Sequence, residues 1–396
     1  MKKGTETKKL SALYKIGSSK RVLKFQWKTE GVPFYRGREV TRLAADGFVD
    51  NDLFISEEHF AELSKQTGVP QAGDIVLTAI GTIGNSHVVR DSDRFYFKDA
   101  SVLWMKRIDE VSSEFINLWL KSPLFFDQLD RGNGATVDTL TIQKLQSVEL
   151  HLPPLAEQQR IVGLLDEAFE CLATAKSNAE TNLQNARALF ESHLQFVFTQ
   201  CGEGWGETTL EKVLAVQPQN GWSPPAANHS ASGTPVLTLS SVTGFRFRPD
   251  KRKFTSAATD SRRNYWIENG DFLITRSNTP ELVGHVAIAA GIMRMNPAPD
   301  RMMTEFLYFQ MRSPALRKEI MGRAQGANPT MKKISNGAVK TLPIAVPSIA
   351  NQQAIVKTLN DLTEETQRLE SIYQQKLTAL EALKKSLLHQ AFTGAL

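Results

Sequence analysis

The densest chemistry in the chain is cationic and aromatic. Between Phe245 and Trp266 lie Arg246, Arg248, Lys251, Arg252, Lys253, Arg262 and Arg263, opposed only by Asp250 and Asp260, with Phe247, Phe254 and Tyr265 interleaved. Guanidinium and ammonium groups at this density can hold phosphate oxygens, and arginine can also read guanine edges in a major groove. The plainer alternative is a solvated basic hairpin. Arg276-Ser277-Asn278 follows the apolar run that starts at Asp271, so it stands where a strand end projects polar groups. In the first half the candidates are Tyr35, Arg36, Arg38, Arg42, Thr78 and Thr82. Asp46, Asp50, Asp52, Glu57 and Glu58 lie close to them and read as a helix facing solvent or a partner protein.

Other chemistries lack their residues. No Gly-Lys-Ser/Thr phosphate loop occurs, and Gly202-Glu203-Gly204-Trp205-Gly206 reads as a linker after a helix. Adenine methylation would need an Asn-Pro-Pro-Tyr type loop, which Asn296-Pro297-Ala298 and Asn328-Pro329-Thr330 do not supply. The histidines (His59, His87, His151, His193, His229, His285, His389) show no metal-ligand or nucleophile-base spacing. Cys171 and Cys201 make neither a zinc site nor a disulfide framework. The expectation is therefore no catalytic residue, no metal ligand and no cofactor in this chain. A formal net charge of +5 leans only mildly towards a polyanionic partner. No apolar run reaches the roughly 18 residues of a membrane span, so a cytoplasmic protein is expected.

What positions these residues is a duplicated frame. An offset of 194 residues brings Gly132 onto Gly326, Pro153 onto Pro347, Gln158-Gln159 onto Gln352-Gln353 and Phe198-Thr199 onto Phe392-Thr393. Upstream the register slips through loops, yet Gly73-Asp74 reappears as Gly270-Asp271 and Glu114-Phe115 as Glu305-Phe306. A repeat this long is a duplicated domain plus helix and implies an internal pseudo-two-fold. Between the anchors the copies share little, so the frame repeats while the loops differ.

Each copy ends in a long helix opened by proline, at Leu152-Pro153-Pro154 and at Val346-Pro347. Heptad positions in the first read Ile161, Leu165, Ala168, Leu172, Ala175, Ala179, Asn182, Ala186, Leu189, His193 and Phe196. In the second they read Ile355, Leu359, Leu362, Thr366, Leu369, Tyr373, Lys376, Leu380, Leu383, Leu387 and Gln390. The 4,3 spacing predicts a coiled coil. An alanine-rich seam facing leucine and tyrosine suggests that the helices pair with each other, antiparallel; pairing with outside chains is the alternative. About 36 heptad residues would span roughly 54 Å at 1.5 Å each, on the order of 16 base pairs.

With these pieces in place, the chain resembles the specificity (S) subunit of type I restriction-modification systems over nearly its full length. The likeness is carried by Leu152-Pro153-Pro154-Leu155-Ala156-Glu157-Gln158-Gln159, its echo from Val346 to Val356, the turns at Gly132 and Gly326, and the tail Ala391-Phe392-Thr393-Gly394. Copy two departs from the motif at Ser348 and Asn351. The resemblance implies an α+β chain: two mixed α/β target recognition domains held apart by two long antiparallel coiled-coil helices. The expected boundaries are 1–152 and 201–346 for those domains, and 153–200 and 347–396 for the helices.

The resemblance also implies that the two domains read the halves of a split double-stranded DNA site. Two modification (methyltransferase) subunits would bring S-adenosylmethionine. Restriction subunits would bring ATP and Mg2+ chemistry. Helix-pair or subunit contacts are expected from Gln158, Gln159, Ile161, Leu165, Leu172, Gln352, Gln353, Ile355, Leu359, Leu369, Tyr373 and Leu380. The rival readings are a freestanding repressor of a split operator and a coiled-coil protein adaptor, and a prokaryotic source follows from the resemblance alone.

Overall fold

The computed structural model describes residues 5–129, 139–200, 202, 204–260, 266–288, 293–328 and 330–396. Gly132, Arg262, Arg263, Tyr265 and Pro329 thus lie outside the described residues. The chain divides into two units, Met1–Ala179 with Gln375–Leu396, and Glu180–Gln374.

The first unit runs through β1 (Glu6–Lys9), α1 (Leu10–Leu13), β2 (Tyr14–Gly17), β3 (Val32–Tyr35), α2 (Gly37–Asp46), β4 (Phe54–Ile55) and α3 (Glu57–Thr67). It continues through β5 (Ile75–Thr78), β6 (Ser86–Val88), β7 (Tyr96–Phe97), β8 (Val102–Arg107), α4 (Ser113–Leu120), α5 (Pro123–Leu129), α6 (Ile142–Ser147) and β9 (Glu149–Leu152), then enters α7 (Leu155–Thr199). Its main sheet has the order β2-β8-β5-β6 and is antiparallel throughout. Central β5 is buried along its whole length, as its unbroken Ile-Val-Leu-Thr run requires. Edge strand β9 alternates exposed and buried residues and pairs with β1. A smaller sheet, β4-β3-β7, carries Tyr35 at the end of β3.

The second unit repeats this frame with β10 (Gly206–Thr209), β11 (Leu214–Asn220), β12 (His229–Ser230), β13 (Thr234–Leu237), β14 (Arg252–Thr255), β15 (Phe272–Ile274), β16 (Ser277–Asn278), β17 (Val286–Ile288) and β18 (Met293–Pro297). It closes with α8 (Thr304–Arg312), α9 (Pro314–Arg323), β19 (Lys332–Lys333), α10 (Asn336–Lys340), β20 (Pro343–Val346) and α11 (Ile349–Thr393). Its main sheet, β11-β18-β15-β17, has the same topology as that of the first unit, and β10 pairs β20 as β1 pairs β9.

The repeated Gly-Asp anchors have one physical cause. Asp74, buried ahead of β5, accepts hydrogen bonds from the Gln71 and Arg107 amides at 3.0 Å and from the Trp104 indole N–H at 2.9 Å. Asp271 does the same ahead of β15, accepting from the Glu268 amide at 2.9 Å and the Asn296 side chain at 3.0 Å. Gly73 and Gly270 precede them at φ 86° and 95°, a left-handed backbone that glycine adopts without strain.

Each unit is completed by the far end of the other copy's helix. In the first, Leu388, Ala391 and Phe392 of α11 join a core with Phe115, Trp119, Ile161 and Leu165. In the second, Phe190, Leu194 and Phe198 of α7 pack with Phe306 and Leu359. The helices are antiparallel within each unit. Lys176 pairs with Glu381 at 3.1 Å and Lys384 lies over Phe169 in the first, while Arg187 pairs with Glu370 at 3.1 Å in the second.

The strict heptad does not hold. The buried stripe of α7 runs through Ile161, Leu165 and Ala179, then through Ala186, Phe190, Leu194 and Phe198. Asn182 and His193 are thereby replaced in the seam by Leu183 and Leu194. Leu189 and Phe196 face outward, and Leu189 is 57% exposed. In α11 the seam passes Tyr373 to Leu377, and Lys376, Leu383 and Gln390 are exposed. An unsupercoiled helix turns every 3.6 residues, so its apolar stripe drifts off a 3.5 repeat by about 20° per heptad. The extra residue after Ala179 and after Tyr373 absorbs that drift, at equivalent places in both copies. Of the expected interface set, Gln158, Ile161, Leu165, Gln352 and Leu359 are buried, and Leu172, Ile355, Leu369, Tyr373 and Leu380 are half-buried. Gln159 and Gln353 are exposed and stand outside the helix seam.

Candidate nucleic-acid interface

In the first unit the candidates gather at the start of α2. Tyr35 ends β3 half-buried and stacks on Phe95 with ring centroids 4.7 Å apart; burial, then nearby Asp93 and Glu39, raise its phenol pKa. Arg36 caps α2 and donates from its backbone and side-chain N–H groups to Glu39 at 2.9–3.0 Å. Arg38 donates to the same carboxylate at 2.7 Å, and both arginines reach Asp52. Glu39 is only 1% exposed. Burial alone would push its carboxyl up, but the hydrogen bonds from Arg36 and Arg38 outweigh it and hold the pKa down at about 2. These two arginines are therefore tied into an ion cluster around buried Glu39, with Arg38 still exposed at the surface and Arg42 exposed further along α2.

Thr78 lies wholly inside. Its hydroxyl donates to the Thr82 carbonyl and accepts from the Asn85 amide at 3.1 Å, so it shapes the loop before β6 and offers no surface for a ligand. Exposed Thr82 meets Thr41 of α2 at 3.2 Å, which ties that loop to the helix carrying Arg38 and Arg42.

In the second unit a cleft of about 710 Å³ collects residues distant in sequence: Gln219 and Asn220 at the end of β11 with Trp222 after it, Phe247, then Arg252 and Lys253 of β14, Trp266, and Arg276 with Ser277 after β15. Arg252 also lies over the Phe254 ring at 5.5 Å. Strand β16 pairs Ser277 with Lys333 and Asn278 with Lys332, which adds two lysines the basic-run reading missed. Their sequence signal was a short Lys-Lys step after the Gly326 turn. Gln219, Asn220, Trp222 and Trp266 give no local signal, because only the fold brings them to the cleft.

The remaining basic residues are placed less directly. Lys251 pairs with Asp250 at 3.4 Å, and Arg248 donates to the Thr243 carbonyl at 2.8 Å. Arg246 is exposed next to Phe245, whose backbone is left-handed at φ 58°. Phe245 stacks on buried His285 at 4.1 Å, and its carbonyl accepts from the Tyr308 hydroxyl at 2.8 Å. The Gly244 amide donates to His285 Nδ1 at 3.0 Å. Burial first, then Arg317, lowers the His285 pKa to about 4, so the imidazole is neutral at pH 7. This packing fixes the loop that presents Arg246 and Arg248.

Among the described residues no group of three or more His, Cys, Asp or Glu side chains can hold a metal ion, and no helix is long and apolar enough to cross a membrane. The surface that remains is cationic, aromatic and amide-bearing, suited to binding a polyanion with exposed base edges.

Comparison with known proteins agrees with this reading. The family described as "Type I restriction modification DNA specificity domain" matches residues 2–183 and again residues 202–379. A putative type I restriction enzyme specificity subunit, S.HindORF215P of Haemophilus influenzae, is 33% identical over 157 residues, 39% of this chain and 38% of that one. The EcoKI specificity subunit of Escherichia coli K12 is 24% identical over 309 residues, 72% of this chain and 66% of that one. The aligned part thus spans under two thirds of either relative. Two solved structures share the fold. A chain from work on complex assembly and conformational transition of the type I R-M system superimposes with TM-score 0.77 at 18% identity, covering 100% of this chain and 99% of that one. The HsdS subunit of Thermoanaerobacter tengcongensis superimposes with TM-score 0.59 at 17% identity, covering 100% and 98%. With the specificity domain present twice, the chain belongs to the type I restriction-modification specificity family and is an S subunit.

Proposed function

We propose that this chain is the address reader of a cytoplasmic, prokaryotic type I restriction-modification complex. Each unit reads one half of a split double-stranded DNA target, and the paired helices separate the half-sites by a stretch of unread sequence. The chain itself is non-catalytic. Two modification subunits bind it and supply S-adenosylmethionine and the methylating residues, and restriction subunits supply the ATP- and Mg2+-dependent steps. The observation that carries this reading is the duplicated frame with divergent loops: one main-sheet topology occurs twice, while the loops between its strands differ.

Within this reading Arg252, Lys253, Arg276, Ser277 and Asn278 contact DNA in one half-site, with Arg246, Arg248 and Lys251 on the flanking loop; Arg262 and Arg263 belong to the same proposed set by their sequence alone. Tyr35, Arg42 and Thr82 serve the other half-site, positioned by the Arg36–Arg38–Glu39 cluster. Exposed Gln159 lines a notch with Asp109, Glu110 and Glu114, a polar surface for a modification subunit. The test is purification of the chain from its native host followed by mass analysis of what accompanies it. A methyltransferase at about two copies per chain is the expected result. Recovery of the chain alone, binding a split operator by itself, would replace this reading with a repressor.

A further inference from the structure

One glutamine performs the same task in both units. Gln158 and Gln352 are the fourth residues of α7 and α11, and helical side chains lean towards the helix N-terminus. Each carboxamide therefore reaches back past the start of its own helix. Gln158 donates from Nε2 to the Pro153 carbonyl at 2.8 Å, and its Oε1 accepts the Ser112 amide at 2.9 Å. Gln352 donates from Nε2 to the Pro347 carbonyl at 2.9 Å and to the Arg301 carbonyl at 2.8 Å, and its Oε1 accepts the Met303 amide at 2.8 Å. Ser112 and Met303 are the capping residues of α4 and α8, the helices that each head packs against the long pair. The two carboxamides are 2% and 0% exposed.

The chemistry of this joint singles out glutamine. A carboxamide both donates and accepts, whereas a carboxylate cannot donate and an aliphatic chain can do neither. The rest of the joint is apolar: Phe115 packs edge-on to Phe392 at 5.1 Å, and Phe306 to Phe198 at 5.4 Å. Apolar contact holds two bodies together without fixing their angle, while hydrogen bonds are directional.

We propose that Gln158 and Gln352 are positioning residues that lock each head to its helix at a set angle, and so set the half-site separation the subunit accepts. The inference rests on the split-target reading above. Beyond the bond each glutamine makes to the proline at its own helix start, the second head is held by two such bonds against one for the first, and is the more tightly locked.

The test uses the complex with its methyltransferase subunits and a DNA library in which the two half-sites are constant and the spacer varies by up to two base pairs either way. Q158M and Q352M keep side-chain length and lose both hydrogen-bonding roles; Q352E keeps the acceptor and loses the donor. The expected result is methylation at the native spacer close to wild type, with discrimination against altered spacers reduced about tenfold, or 1.4 kcal/mol. The effect is larger for Q352M than for Q158M, with Q352E between Q352M and wild type. Spacer profiles that superimpose on wild type overturn the inference, even if the variants melt earlier. If the wild type itself shows no spacer preference, the split-target reading fails and takes the inference with it. A second measurement needs no variant: amide exchange at Ser112 and Met303 in the wild-type complex. Protection like that of the central strands is expected, and exchange at the rate of an exposed loop amide overturns the lock.

Discussion

At the scale of single residues, a buried carboxylate decides how the first unit uses its basic side chains. Arg36 and Arg38 look in sequence like ligands for phosphate, yet both are occupied by Glu39 and Asp52. Glu39 titrates at about 2 in the folded chain, below the ordinary glutamate value. Its stabilising contribution is therefore full above about pH 4.3 and is lost as pH falls through about 2. Glu39→Gln should cost about 2 kcal/mol near pH 7, with the difference from wild type closing towards pH 2. Melting curves against pH check this, and equal melting temperatures at neutral pH would contradict it. In the second unit Arg252, Lys253 and Arg276 share one cleft. Replacing each with alanine should weaken DNA binding and lower the salt slope by about 1 per lost phosphate contact. Binding titrations at several salt concentrations decide the matter, and an unchanged slope would reduce the cleft to a solvated face.

At the scale of elements, what was legible in sequence was whatever is local. The Gly-Asp anchors and the proline-opened helix starts each depend on a few adjacent residues, and the structure places them as read; the repeat shows as the same main-sheet order in both units. The helix seam was only half legible. A 4,3 pattern is correct up to Ala179 and Tyr373, but beyond them the real stripe follows the helix's own pitch and leaves Leu189 and Leu383 outside. The consequence is measurable. Leu165→Ala and Leu359→Ala should each cost about 2–5 kcal/mol as core truncations. Leu189→Ala and Leu383→Ala should change stability by no more than about 0.5 kcal/mol. Denaturant titrations of the four variants separate the two seams, and a large loss at Leu189 would restore the strict heptad. The cleft of the second unit was only partly legible, because the 219–222 stretch and Trp266 are brought to Arg252, Lys253 and Arg276 by the fold alone.

At the scale of the whole molecule, the account is a single chain that carries one main-sheet frame twice and varies what is built between its strands. The sheet order, the buried aspartate, the glutamine at the helix start and the phenylalanine pair recur in each unit. The loops do not. On the proposed reading, duplication supplies two domains of one design, and divergence gives each its own sequence to read. The most direct measurement is a map of methylated adenines across a genome in which this chain is expressed with its modification subunits. The account predicts one motif made of two unrelated half-sites with a constant gap, and a chain altered at Arg252, Lys253 and Arg276 changes one half-site while sparing the other. A contiguous motif, or no methylation that depends on this chain, would contradict it.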